Sequence, residues 1–99
     1  VALQVRISAR AAAQVRQAAQ WWHVNRPSAS GAIGTDFGEA IALLAEQPGI
    51  GALYEGARTP GVRRLYLGRV RYFVYYKAEA GVLKVLAFWH VNRGQQPSV

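Results

Sequence analysis

Three strand-like runs crowded into the second half of the chain limit its fold more than any other feature. Residues 62–67, 69–77 and 82–89 are rich in Val, Leu, Tyr and Phe, side chains that suit a pleated, half-buried surface. Only Gly68 and the stretch Ala78-Glu79-Ala80-Gly81 separate them. Connections this short reverse the chain with no room for a crossover, so the runs form an antiparallel meander. Strict alternation puts Val70, Tyr72, Val74 and Tyr76 on one face of the middle strand and Arg71, Phe73, Tyr75 and Lys77 on the other. In the last strand Leu83, Val85, Ala87 and Trp89 oppose Val82, Lys84, Leu86, Phe88 and His90. Both faces carry bulk, which calls for a helical cover on one side and a partial cover on the other.

The first half supplies the helices. Residues 2–7 alternate Leu3, Val5 and Ile7 with Gln4 and Arg6, the period of a strand with one buried face. Ser8 stands at the N-cap position of a helix over residues 9–25, in which Ala11, Val15, Ala18 and Trp22 share a stripe and Arg10, Gln14 and Gln17 lie outside it. Pro27 ends this helix or opens the next element. In 28–46, Ile33, Phe37, Ile41 and Leu44 keep helical spacing, although Gly31, Gly34 and Gly38 each cost a helix interior about 1 kcal/mol relative to Ala. Their common face predicts a smooth line for close approach of the first helix, with fraying before Thr35. Gln47-Pro48-Gly49-Ile50-Gly51 then stops the second helix. The order is β-α-α-β-β-β, an α+β domain over residues 1–93 with a helical hairpin on a small antiparallel sheet. Residues 94–99 read as a loose tail.

Composition removes whole classes of function. The 99 residues include no cysteine, so there is neither a disulfide framework nor a thiolate metal site, and His23 and His90 alone are too few for a structural zinc centre. No metal or other cofactor is expected. The longest obvious apolar run, 40–45, is six residues, far short of the roughly 18–20 that cross a bilayer; the expectation is a cytoplasmic protein with no membrane partner. Phosphate-binding and dinucleotide loops are missing, as is a paired His-Glu metal helix. Asp36 is the sole aspartate, and the serines at 8, 28, 30 and 98 suggest no hydrolase triad.

Charge points to the partner. Twelve Lys+Arg face five Asp+Glu for a net +7, and ten of the twelve are arginine, the side chain suited to bidentate recognition of phosphate or carboxylate. Residues 1–50 hold four Arg, one Asp and two Glu (+1), whereas 51–99 hold six Arg, two Lys and two Glu (+6). Arg58, Arg63, Arg64, Arg69 and Arg71 fall within fourteen positions, a cationic surface for nucleic acid or an acidic protein. Plain protection of sheet edges would be met by lysine balanced with acids. His90 and Arg93, at the end of the last strand, join this target-binding set. Trp21 lies off the stripe that Trp22 continues, where it either marks a protein interface, as an exposed tryptophan on a small domain suggests, or packs against the second helix. His23 suits the C-terminal end of a helix, and Tyr72, Tyr75 and Tyr76 suit cross-strand packing.

The element order and an ordered set of segments resemble the RelE/ParE superfamily of bacterial toxin–antitoxin toxins over nearly the whole chain. The segments are Trp21-Trp22 with Asn25-Arg26-Pro27, Gln47-Pro48-Gly49-Ile50-Gly51, Val62-Arg63-Arg64-Leu65-Tyr66-Leu67, Val70-Arg71-Tyr72 through Tyr75-Tyr76, and Val85-Leu86-Ala87-Phe88-Trp89-His90-Val91-Asn92-Arg93-Gly94. RelE-like members resemble ribosome-dependent mRNA endonucleases with a tyrosine or histidine close to the C-terminus, whereas here Gly94-Gln95-Gln96-Pro97-Ser98-Val99 offers no Tyr, His or Lys. The His-x-x-Arg-Gly ending and the Arg-Arg strand look more like the ParE branch. That resemblance implies a non-enzymatic toxin that binds DNA gyrase, is neutralised by a ParD-like antitoxin at Trp21 and Trp22, and associates with DNA through that antitoxin. The alternative it leaves open is a RelE-like mRNA endonuclease using Arg63, Arg64, Arg71 and His90.

Overall fold

Ser8 starts the first helix as its position foretells. The computed structural model describes residues 2–99, and in it the Ser8 Oγ accepts from the Ala11 amide at 3.0 Å, satisfying one of the free N–H groups of the first turn. Strand β1 (Gln4–Ile7) precedes this cap and helix α1 (Ala9–Asn25) follows it. A single 3-10 turn at Pro27–Ala29 leads into α2 (Ala32–Glu46), and another at Pro48–Ile50 leads out of it. The chain then adds β2 (Ala52–Leu53), β3 (Arg63–Leu67), β4 (Tyr72–Glu79) and β5 (Val82–His90).

The five strands lie in the order β1-β5-β4-β3-β2. The meander β3-β4-β5 is antiparallel as expected and β2 adds to it antiparallel to β3, but the sheet as a whole is mixed, because β1 runs parallel to β5 with Val5 opposite Leu83 and Ile7 opposite Val85. The helical hairpin is the cause: it carries the chain from β1 to the far edge, so β5 returns beside β1 in the same direction. At this edge Val5 and Ile7 remain 38% and 42% exposed, so β1 does not have the buried face its alternation suggests. The two-residue β2 was not legible as a strand in Ala52-Leu53.

One irregularity repositions half of β5. Tyr75 pairs with Ala87 and Tyr76 with Val85, which leaves Leu86 as an extra residue in a β-bulge. Parity therefore inverts past Leu86. Leu83, Val85 and Phe88 share the helix-side core, whereas Ala87 and Trp89 turn to the opposite face. The bulge is fastened from α1: the Ser8 hydroxyl donates to the Leu86 carbonyl at 3.3 Å, and the Phe88 amide donates to Gln14 Oε1 at 2.8 Å. Gln14, half-buried, thus meets the sheet although it lies outside the apolar stripe of α1.

The helix-side core joins Ala11, Ile33, Ile41 and Leu44 of the hairpin to Val74, Tyr76, Leu83 and Phe88 of the sheet. A second, smaller core on the other face buries Val62, Tyr75 and Ala87 beneath Tyr54, Phe73, Trp89 and Val99. The partial cover expected on that face comes from the 54–62 loop and from residues 94–99. These last residues are not loose: Pro97 is buried, the Trp89 Nε1–H donates to the Gln95 carbonyl at 2.7 Å, and the Tyr75 hydroxyl bonds Gln96 Oε1 at 2.9 Å. The line of close approach predicted for Gly31, Gly34 and Gly38 is also absent, since a Cβ added at any of them meets nothing within 4 Å. They face outward because the apolar stripe Ile33, Phe37, Ile41, Leu44 claims the inner face, and α2 runs unfrayed from Ala32.

Candidate functional site

Adjacent residues on a strand point to opposite faces, and this divides the arginine cluster. Arg63 turns to the helix side, where its Nη1 donates to the Gly51 carbonyl at 2.7 Å and to that of Gly49 at 3.4 Å. It fastens the turn that follows α2. Arg64 turns to the open face and lies over Phe73, with its guanidinium carbon 4.3 Å from the ring centroid, and 5.2 Å from that of Tyr54. It also donates to the Tyr75 hydroxyl at 3.1 Å. The single basic patch read from Arg58–Arg71 is therefore at least two surfaces and one structural residue.

The open face is built on the parity change at Leu86. Trp89 arrives there beside Phe73, its neighbour on β4, and Arg93 stacks on it with the guanidinium carbon 3.9 Å from the ring centroid. Arg10, from the first turn of α1, approaches the same ring at 6.0 Å and donates to the Ser98 carbonyl at 2.6 Å. Arg64, Arg93 and Arg10 thus surround an aromatic platform. Arg58 is exposed farther along, in a groove that also contains Lys77 and Lys84.

The second surface lies on the helix side, where α1 ends against the β3–β4 hairpin. The hairpin loop Gly68-Arg69-Val70-Arg71 is closed by the Arg71 amide donating to the Leu67 carbonyl at 2.8 Å, and Arg71 adopts a left-handed φ of 67°. This turn brings Arg71 to the same cleft as Tyr72, although alternation assigns them to opposite faces. Trp21, Trp22, Arg26 and His90 complete the lining. Arg69 is there too, but both oxygens of Asp36 hold its guanidinium, one of them at 2.9 Å from Nε. Tyr72 stacks on Phe88 at 4.5 Å between centroids and meets His90 edge-on at 4.9 Å. Burial pushes the Tyr72 hydroxyl up from the ordinary tyrosine range, against the pull of Arg93. His90 Nδ1 accepts from the Asn92 amide at 3.1 Å, which leaves Nε2 as the ring's other hydrogen-bonding atom.

Trp21 is 50% exposed, with Arg26 5.7 Å from its ring centroid. Trp22 packs against the helix-side core and shows only part of its ring. Arg10, Arg26 and Trp89 were missed as site residues. A bulge that moves Trp89 to the open face leaves no mark in a single sequence, and Arg10 and Arg26 meet their surfaces only through tertiary packing.

The family model for the ParE toxin of type II toxin–antitoxin systems, parDE, matches residues 5–94. The chain belongs to the ParE toxin family. The matched span runs from β1 through His90 and Arg93, so both surfaces lie inside the ParE toxin region. Among solved structures the fold is similar to a chain of the chromosomal ParDE system from P. aeruginosa, with a TM-score of 0.75 and 21% identity over 91% of this chain and 97% of that one. No curated protein matches. Among the described residues, no cluster of His, Cys, Asp and Glu could hold a metal ion, and no helix is long and apolar enough to cross a membrane.

Proposed function

We propose that this ParE-family toxin acts without chemistry of its own, by binding DNA gyrase, and that a ParD-like antitoxin neutralises it. What supports this over the endonuclease alternative is the dispersal of the four side chains that cleavage would need together. Arg63 is committed to the Gly49 and Gly51 carbonyls, Arg64 lies on the open face, and Arg71 and His90 line the cleft on the other side of the sheet. General acid–base catalysis at one phosphate requires groups within hydrogen-bond reach of the same atoms; the sheet keeps Arg64 from the other three, and Arg63 is spent on the turn after α2, away from the cleft that Arg71 shares with His90. The open face instead offers a broad cationic and aromatic platform of Arg64, Trp89, Arg93 and Arg10, a form suited to protein or nucleoprotein surfaces.

The antitoxin's place is the outer side of α1, where Trp21 and Val24 are 50% and 70% exposed. A partner segment packing there would cover both, and acidic side chains on it would meet the toxin's excess charge. Association with DNA would follow through that antitoxin, in the cytoplasm.

A supercoiling assay with purified gyrase, ATP and relaxed plasmid tests the reading. The wild-type chain should block supercoiling or accumulate cleaved plasmid, and Arg64→Ala/Arg93→Ala should lose at least about tenfold in potency, the equivalent of about 1.4 kcal/mol. Gyrase left untouched at well above stoichiometric toxin, together with cleavage of ribosome-bound message, would move the assignment to the endonuclease.

A further inference from the structure

The cleft at the end of α1 combines features that the gyrase reading leaves unused. Its volume is about 450 Å³, within the range of small-ligand sites. Its aromatic lining is Trp21, half exposed with the Arg26 guanidinium 5.7 Å from its ring centroid, and Tyr72 and His90 across from the helix. The rest is largely cationic. Asp36 gives both its oxygens to Arg69, so that arginine is compensated, while Arg26 and Arg71 have no carboxylate within salt-bridge distance among the described residues. Arg71 also holds a φ of 67°, where glycine would sit without strain and other residues do not. A side chain kept at such a position at conformational cost, uncompensated and facing a cleft, points to an anion. His90, with Nδ1 occupied by the Asn92 amide, offers Nε2 as a further polar contact.

We propose that this cleft is a nucleoside-phosphate site, in which the base stacks on Trp21 and the phosphate is held by Arg26 and Arg71. A planar ring and a multiply charged anion on one small body match this mixed lining, since every base has a π-face to stack and guanidinium groups bind phosphate bidentately. The same chemistry occurs on free nucleotides and at the ends of single strands. The site shares Trp21 with the surface assigned to the antitoxin, so the test uses the toxin alone, and its outcome is independent of what the toxin inhibits.

The experiment titrates the purified chain by calorimetry, and by quenching of tryptophan fluorescence, with ATP, AMP, inorganic tripolyphosphate and a 5′-phosphorylated tetrathymidylate at near-physiological salt. ATP should bind at least about tenfold more tightly than tripolyphosphate, which lacks the base. Arg71→Gly keeps the left-handed backbone and removes only the guanidinium; it and Trp21→Ala should each weaken binding by about tenfold, whereas Arg6→Ala, which removes the same charge on β1, should change it less than about twofold. Tighter binding of AMP or ATP than of the tetranucleotide assigns the cleft to free nucleotides, and the reverse assigns it to strand ends; either supports the site. Equal binding of tripolyphosphate and ATP, an Arg6→Ala loss as large as that of Arg71→Gly, or no saturable binding at millimolar nucleotide would overturn it.

Discussion

Tyr76 shows how much of the turn after α2 depends on one hydroxyl. It donates to the Pro48 carbonyl at 2.6 Å and accepts from the Gly51 amide at 3.0 Å, in a residue with no exposed surface. Tyr76→Phe should therefore cost about 1–3 kcal/mol in urea unfolding, since it leaves the buried Gly51 N–H without its partner. Gly51→Ala should cost more. A Cβ there would come within 2.4 Å of the Tyr76 hydroxyl oxygen and 2.9 Å of the Arg64 carbonyl oxygen, and the backbone atom cannot swing aside as a side chain can. A variant as stable as the wild type would contradict this account of the turn. The same burial sets a pH dependence, because desolvation raises the hydroxyl pKa of both Tyr76 and Tyr72. Their neutral forms are favoured in the folded state, so this stability is complete below the ordinary tyrosine value of about 10 and is lost as pH rises through the higher folded values. Urea midpoints measured across that range should fall above about pH 10, and more gently in Tyr72→Phe. A slope unchanged by that substitution would remove Tyr72 from the explanation.

At the scale of elements, the turn between β4 and β5 is less favourable than it could be. Ala80 and Gly81 both have positive φ, 53° and 77°, between the paired residues Glu79 and Val82, the geometry of a type I′ hairpin in which Asn-Gly is preferred. Ala80→Asn should raise stability by about 0.5–1 kcal/mol. Gly34→Ala and Gly38→Ala should add similar amounts, since both glycines lie within α2 with open space where the Cβ would go. A loss of stability from either helix substitution, read by thermal denaturation, would show that their outer face is packed after all. The same elements show how far the chain could be read in advance. Ser8 as a cap, the two helical stripes and the antiparallel meander are local patterns, and each is found where its spacing placed it. The parallel β1–β5 pair, the Leu86 bulge and the outward-facing glycines depend on residues far apart in sequence. Alternation could have separated Arg63 from Arg64, but it could not foresee that Arg71 turns toward Tyr72 or that Trp89 changes faces, and those two departures shape the candidate surfaces.

The whole molecule carries +7 with little internal compensation. Its salt bridges among the described residues are Arg69–Asp36, Lys77–Glu79 and Lys84–Glu79, so nine of the ten arginines have no carboxylate partner. Surface ion pairs contribute little in any case, and the dominant electrostatic term is self-repulsion of the folded chain. Salt screens that repulsion: the Debye length falls from about 10 Å at 0.1 M to about 3 Å at 1 M. The urea midpoint should therefore rise between about 0.05 and 0.5 M NaCl, where a fold held by its ion pairs would lose stability. A falling midpoint would mean that the three salt bridges outweigh the repulsion, and the view of this surface as waiting for an acidic partner would fail with it. The two cationic regions are centred on opposite sides of the sheet, with Arg93 at the edge between them, where it stacks on Trp89 and also borders a groove with Tyr72 and His90, so a partner that docks on one side leaves most of the other charged. Binding of an acidic partner to the open face should lose salt sensitivity in Arg64→Ala/Arg93→Ala while the toxin's own rise in stability with salt persists, because Arg26 and Arg71 still repel their neighbours across the helix-side cleft. A partner that wraps both sides should abolish that rise in the complex, and measuring the midpoint of the complex against salt separates the two modes of neutralisation.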